Sequence, residues 1–284
     1  MKPASSILVC GDAMIDEYWY GEVTRISPEA PVPCVKILRT ENRLGAADNV
    51  AANVRAMGGE AFLATSYTAK KIRVVGRNQQ ITRVDFDAVA TPEEVTKVEA
   101  AFHHFLPLCS IILFSDYGKG TLIHIKELIA EAKDAGKTVL VDPKGHDYFK
   151  YARADIVKPN TTELREMVGG WRDEEQLYEK VDRLLAETKI GAILLTRSFE
   201  GMSLFDARGS YHFPAVAKEV YDVTGAGDTA IAAFAVSLSL GHSFHQATQY
   251  ANKAASVVVA KFGTAIATRE EVFNEDFWPV RAQN

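Results

Sequence analysis

Cysteine is scarce. Cys10, Cys34 and Cys109 are the only three in 284 residues, none forms a C-x-x-C pair, and each lies in or beside an apolar stretch. That excludes a disulfide framework and a cysteine-based zinc site, and it reads as buried thiols in a reducing cytosol. Long hydrophobic runs are lacking too. No stretch approaches the ~20 apolar residues of a membrane span, and the N-terminus meets acidic residues soon after the short run at 7–10, without a signal-peptide core. The expected location is the cytoplasm. Positive charge is not in excess: the formal net charge is −5. This argues against a nucleic-acid or anionic-membrane partner while leaving room for a local basic pocket. The close histidine sets, His103–His104 and His242/His245, have no carboxylate or cysteine companions at metal spacing, so no histidine metal site is expected. Two nucleotide-binding signatures are missing as well. There is no G-x-x-x-x-G-K-[S/T], since "FSDYGKGT" has the wrong spacing, and no G-x-G-x-x-G follows the first strand.

What is present suits a globular α/β protein. Hydrophobic residues make up 47% and charged residues 24%, enough for a sizeable core. A strand-like run at 7–10 leads into Gly11-Asp12. Pro28, Pro31 and Pro33 forbid a helix in the next stretch, and 32–38 partly alternates as a half-exposed strand does. Residues 48–57 read as a helix closed by Gly58-Gly59, and 71–86 as two strands around a polar turn. From there strand and helix alternate: "SIILFSD", "IHIKELIAEAKDAG", "TVLVDPKG", "ADIVKPN", "TTELREMVG", "EEQLYEKVDRLLAET" and "GAILLTRS". A hairpin is expected around Ala207-Arg208-Gly209, then two apolar helices at 229–240 and 245–259. Repeated β-α units predict a mostly parallel sheet with helices on both faces. No linker, repeat or domain boundary interrupts the chain, so 1–284 is expected to form one domain with a small β appendage.

The segment "YDVTGAGDTAIAAF" raises a chemical question. Gly225, Ala226 and Gly227 leave backbone N–H groups free to converge on an anion at the start of an apolar helix, where the dipole favours negative charge. Asp228 then stands where it could take a proton from an attacking hydroxyl, a combination suited to phosphoryl transfer. The same residues also describe a tight turn followed by an N-terminal helix acid. The segment by itself leaves both readings open.

Other motifs break the tie. "DVTGAGD" resembles the C-terminal signature of the ribokinase-like (PfkB) sugar kinases, and "LGAADNVAANVRAMGG" their N-terminal signature. "KPNTTEL" is similar to their P-N-x-x-E element, and "LLTRSFEGMSLF" to the strand before their nucleotide site. "GDAMIDEYWYGEVTRISPEAPVP", "RNQQITRVDF", "SDYGKGTL" and "VDPKG" together resemble the heptose-7-phosphate kinases within that family. The resemblance implies a three-layer α/β/α fold with a β lid from about 25–43 and 70–86. It also implies ATP and Mg2+ as cofactors, and phosphorylation of D-glycero-β-D-manno-heptose 7-phosphate at C1 for ADP-heptose and lipopolysaccharide core synthesis. The end of the chain leaves no room for the nucleotidyltransferase domain that some members carry, so a kinase-only form is expected. Lid edges invite subunit pairing, hence a homodimer. The rivals are a kinase of another sugar phosphate or nucleoside, a non-catalytic sugar or nucleotide sensor, and a purely structural protein.

Residue by residue, the resemblance makes Asp228 the base and Gly225, Ala226 and Gly227 the anion hole. Asn160, Thr161, Thr162 and Glu163 fall near the ATP phosphates, with Glu163 reaching the metal through water. Thr196, Arg197 and Gly201 run along the nucleotide, and Asn252 and Gly263 line the adenine pocket. Asn252 also reads as an ordinary helix contact. On the sugar side stand Asp16, Gly45 and Asn49. Arg77, Lys144 and Arg83, in that order, are candidates for the 7-phosphate or else solvated charges. Gln79 and Gln80 belong to the lid.

The chain departs from the family pattern twice. Ala46 and Asp48 stand where glycine and a small residue are usual, and a methyl at 46 is awkward if the backbone needs positive φ. After Ser66 roughly one β-α unit of ~30 residues is missing. It is either a natural deletion or a disordered stretch absent from this sequence, with the second expected.

Overall fold

The computed structural model describes residues 6–77, 79–217, 219–261 and 263–273. Ten strands form one sheet: β1 (Ile7–Ile26), β2 (Pro33–Ala46), β3 (Ala61–Gly76), β4 (Gln79–Asp87), β5 (Ile111–Ser115), β6 (Thr138–Asp142), β7 (Ile156–Val157), β8 (Ala192–Thr196), β9 (Met202–Asp206) and β10 (Gly209–Phe213). The helices are α1 (Ala47–Ala56), α2 (Pro92–Phe105), α3 (Ile125–Asp134), α4 (Thr161–Val168), α5 (Glu174–Thr188), α6 (Ala226–Ser239), α7 (Phe244–Val259) and α8 (Arg269–Phe273). The sheet order is β10-β9-β8-β7-β6-β5-β1-β3-β4, with β2 paired to β1. β3, β1, β5, β6, β7 and β8 run parallel.

The central strands are short apolar runs buried on both faces, as parallel strands between helix layers must be. Successive side chains go to opposite cores. Ile7, Val9, Ile111, Leu113, Leu140 and Leu194 pack with α1, α6, α7 and α8. Leu8, Cys10, Ile112, Phe114, Val141 and Leu195 pack with α2, α3, α4 and α5. Each fully buried aliphatic side chain contributes about 1.5–3 kcal/mol. Helix α6 is buried on every side from Asp228 to Ser237, which is why its sequence is apolar all round.

Strands β1 and β3 run farther than the sequence reading expected. They stay paired from Ile7↔Ala61 to Gly21↔Gly76, with one register shift between Ala13 and Met14. Their far halves, flanked by β2 and β4, project beyond the core as the lid. The lid therefore takes in much of β1 as well as the expected stretches. Strand β3 passes through Ser66 and on to Lys70 without interruption. The helix α2, capped by Thr91 and Glu94 in a reciprocal box, was not foreseen. Among the described residues no helix is long and apolar enough to cross a membrane.

Candidate active site

The site gathers where parallel strands end, at the carboxyl edge of the sheet. β1 supplies Asp12 and Asp16, the turn after β5 supplies Tyr117, β6 ends on Asp142, Lys158 follows β7, and β8 ends on Thr196. The first turn of α6 closes over this edge. Gly225 caps the helix with φ 77 and no side chain caps its N–H groups; Ala226 N donates to Val223 O at 3.2 Å, which leaves the amides of Gly227 and Asp228 available to an anion. A Cβ on Gly225 would meet Asn49 Nδ2 at 2.8 Å, which leaves no room for a larger residue.

Asp228 is buried behind this turn. Asn49 Nδ2 donates to its Oδ2 at 2.9 Å and the Tyr117 hydroxyl to its Oδ1 at 2.8 Å. Asn49 has no choice of orientation. Its Oδ1 accepts from Asn53 Nδ2 at 3.1 Å, while Asn53 Oδ1 accepts from Ala267 N at 3.0 Å. Burial, then repulsion from Asp142, pushes the Asp228 carboxyl up to about 6, against the opposing effects of Asn49, Tyr117 and Lys158. A base poised just below neutrality is charged at working pH yet readily protonated.

Lys158 lies under the helix start. A Cβ on Gly227 would sit 3.2 Å from its Nζ, and that ammonium pairs with Asp142 Oδ1 at 3.0 Å. Burial pulls the Lys158 pKa down, but Asp142 outweighs it and the ammonium stays charged. Free amides and a buried cation therefore face the same point.

A cleft of about 780 Å³ opens from there, a volume that accommodates a nucleotide. Lys144, Lys158, Asn160 and Glu163 give it a polar, cationic part, and Phe199, Val216, Val220, Val223 and Val259 an apolar part. Asn160 and Glu163 cap α4 reciprocally: Glu163 N donates to Asn160 Oδ1 at 2.9 Å and Asn160 N to Glu163 Oε2 at 3.0 Å. The P-N-x-x-E element is thus a capping box whose outer carboxylate oxygen faces Lys144 Nζ at 3.3 Å.

The structure brings Ala226, Gly227, Asn160, Thr161, Thr162, Glu163, Thr196, Gly201 and Asn252 to the cleft wall. Asn252 Nδ2 donates to Pro214 O at 2.8 Å, so its ordinary structural role is also real. Other expected residues lie elsewhere. Arg197 is held by Glu174 at 2.5 Å and Glu200 at 2.9 Å, away from the lining. Gly263 donates to Asp222 Oδ2 and its Cα abuts Arg43 and Tyr18, on the lid side. Lys144 also lines the cleft. On the acceptor side, Asp16 is buried, pairs with Arg73 and accepts from Thr264 Oγ1 at 3.3 Å. Gly45 backs onto it: a Cβ there would lie 3.0 Å from Asp16 Oδ2. Arg77 sits at the β3–β4 turn, donating to Val23 O. Asp16 is level with Lys71 in the ladder, six residues before Arg77, or about 20 Å along the strand. Gln79 and Gln80 pair opposite Gly76 and Val75, likewise toward the lid tip. Arg83 is exposed and bound to Asp85.

Sequence reasoning missed Lys158, Asp142, Tyr117 and Arg73. Signals existed for the first three, since each lies inside a quoted motif, "KPN", "VDPKG" and "SDYGKGTL". Arg73 gave none, because its pairing to Asp16 depends on the β1–β3 register.

The pfkB family carbohydrate kinase profile matches residues 64–271. The chain belongs to this family. It is 42% identical over 298 residues to the D-beta-D-heptose 7-phosphate kinase of Bordetella bronchiseptica, covering 95% of each protein. It is 44% identical over 301 residues to the bifunctional protein HldE of Chromohalobacter salexigens, covering 94% of this chain and 62% of that one. The Bordetella alignment spans 298 residues but only 95% of this chain, so the relative carries roughly 30 positions without a counterpart here, the size of one β-α unit. Among solved structures, Escherichia coli phosphofructokinase-2 in complex with potassium superposes with a TM-score of 0.78 at 17% identity, over 94% of this chain and 96% of that one. Arabidopsis thaliana ribokinase complexed with ribose and ATP gives 0.71 at 19%, over 95% and 97%. These last two show the ribokinase-like fold. The fold and family expectations therefore hold, and the chain is a sugar kinase.

Proposed function

We propose that the protein transfers the γ-phosphoryl group of ATP to the C1 hydroxyl of D-glycero-β-D-manno-heptose 7-phosphate, giving the 1,7-bisphosphate used in ADP-heptose synthesis. The observation that carries this reading is the buried Asp228 carboxylate in the first turn of α6, near enough to Lys158 to feel its charge, with that ammonium beside Gly227. The acceptor class rests on likeness to the heptose kinase over 95% of both chains. Asp228 takes the C1 hydroxyl proton as that oxygen attacks the γ-phosphorus. The bond to the β,γ-bridging oxygen breaks and ADP leaves. Charge developing on the transferred group is met by the amides of Gly227 and Asp228 and by Lys158. Asp16, fixed by Arg73, offers carboxylate oxygens to sugar hydroxyls.

Magnesium fits the residues present. Among the described residues no three His, Cys, Asp or Glu side chains form a metal cage. Glu163 and Asp142 nonetheless offer hard oxygens at the cleft wall, which suits an ion held mainly by phosphate oxygens and water. When bound, the ion would neutralise phosphate charge; Glu163 and Asn160 are the residues to hold it. Cytoplasmic location and a lid-mediated homodimer complete the proposal.

The test is ATP-dependent ADP release by wild type and Asp228→Asn, with heptose 7-phosphate and other sugar phosphates as acceptors. Turnover on the heptose that falls at least a hundredfold in the variant is expected. Turnover on a different acceptor alone would keep the kinase and discard the heptose. No acceptor-dependent turnover by the folded protein would favour a sensor.

A further inference from the structure

Tyr117 is held more firmly than a loop residue needs to be. The turn after β5 wraps around the buried Asp12 carboxylate, which accepts from Tyr117 N at 2.9 Å, Lys119 N at 3.1 Å and Thr121 N at 3.3 Å. On the other side Asp116 accepts from Gly118 N at 2.8 Å, Lys150 Nζ at 2.8 Å and Tyr151 OH at 2.7 Å. The Tyr117 ring is wedged against Met14, Ala46 and Ala69, where the sheet passes from core to lid. Its hydroxyl ends on Asp228 Oδ1.

We propose that Tyr117 is a positioning residue for the catalytic base: its hydroxyl fixes the plane of the Asp228 carboxylate and keeps it ionised in a buried site. This rests on Asp228 being the base. The geometry carries it. Asn49 holds one carboxylate oxygen and Tyr117 the other, so the group is held in one plane, with a lone pair on each oxygen left to accept a proton. A hydrogen bond to the charged form favours that form and opposes the desolvation that drives Asp228 toward protonation. The phenol itself remains a donor, because burial and the Asp228 charge hold its pKa well above the ordinary tyrosine value. The other charged groups acting on the pair are Asp142 at the end of β6, Lys158 after β7 and Glu163 in α4. None of them belongs to the turn that carries Tyr117.

The experiment compares wild type, Tyr117→Phe, Asp228→Asn and protein with 3,5-difluorotyrosine at 117. Each is checked for folding by thermal melting and assayed from pH 5 to 9. Tyr117→Phe should lower kcat about ten- to a hundredfold, as expected for one hydrogen bond to a charged group, with KM for ATP within about twofold of wild type. The acid limb of its kcat/KM profile should move up by about half a unit or more. Difluorotyrosine, a stronger donor of the same shape, should move that limb down, and it decides the matter alone if the Phe variant does not fold. A limb unchanged in the folded variants overturns the proposal. An Asp228→Asn protein that keeps wild-type activity and acid limb would instead overturn the base assignment.

Discussion

At the scale of single residues, the pH behaviour of Asp228 has a definite sign. Its folded-state value of about 6 lies above the ordinary 3.8. The folded protein thus binds the proton more tightly than the unfolded chain, and stability fully present below pH ~4 is lost as pH rises through 6. Two units correspond to about 3 kcal/mol at most. Asp228→Asn, which stays neutral, should be more stable than wild type at pH 8 by up to that amount. The gap should narrow at pH 5, as read from urea melts at the two pH values. Activity runs the other way: kcat/KM should rise through pH ~6 and level off, because the base works only when ionised. Ala46 gives a second prediction. The sequence flagged it as an alanine where glycine is usual, and the backbone there has φ 52 and ψ −131, a region costly for any residue with a Cβ. Ala46→Gly should raise stability by about 1 kcal/mol, measured by denaturant melts. Asp48, the other departure, finds a local explanation in the Tyr67 hydroxyl it accepts and the first turn of α1 it occupies. The segment holding Gly225 and Asp228 drew attention because its glycine turn and acid are contiguous, but their proposed roles came from the other motifs. Arg73 gave no signal, because its partner Asp16 comes from another strand.

At the scale of elements, α4 separates two functions that one motif merges. Glu163→Gln still accepts from Asn160 N, so the cap survives and stability should change by less than about 0.5 kcal/mol. The negative charge at the cleft wall is lost, and if Glu163 serves the proposed phosphate and metal site, kcat should fall at least tenfold with stability unmoved. A parallel fall in both would mean that the pair serves only as a cap. The short apolar runs announced the central strands, and glycines such as Gly58-Gly59 and Gly136 marked helix ends. Two errors have different causes. The ends of β1 were invisible because residues 14–26 mix charge and aromatics, and their strand conformation comes from ladder partners rather than periodicity. α2 was passed over although Thr91, Pro92 and Glu94 mark its start.

At the scale of the whole molecule, the lid presents an edge. β4 is exposed along its entire length, and Ile81, Val84 and Phe86 show 37%, 43% and 56% of their surface. An edge of this kind is expected to pair with a second copy. Sedimentation should show a dimer that Val84→Lys together with Phe86→Lys dissociates, with Asp228 and its partners untouched. A monomeric wild type at tens of micromolar would remove the dimer from the proposal. The β1–β3 ladder bears on motion as well. From Ile7↔Ala61 to Gly21↔Gly76 the two strands form one continuous beam, built into the core at one end and free at the other. Its one irregularity, between Ala13 and Met14, lies at the root, so any bending of the lid is expected to concentrate there, beside the Asp12-anchored turn that carries Tyr117.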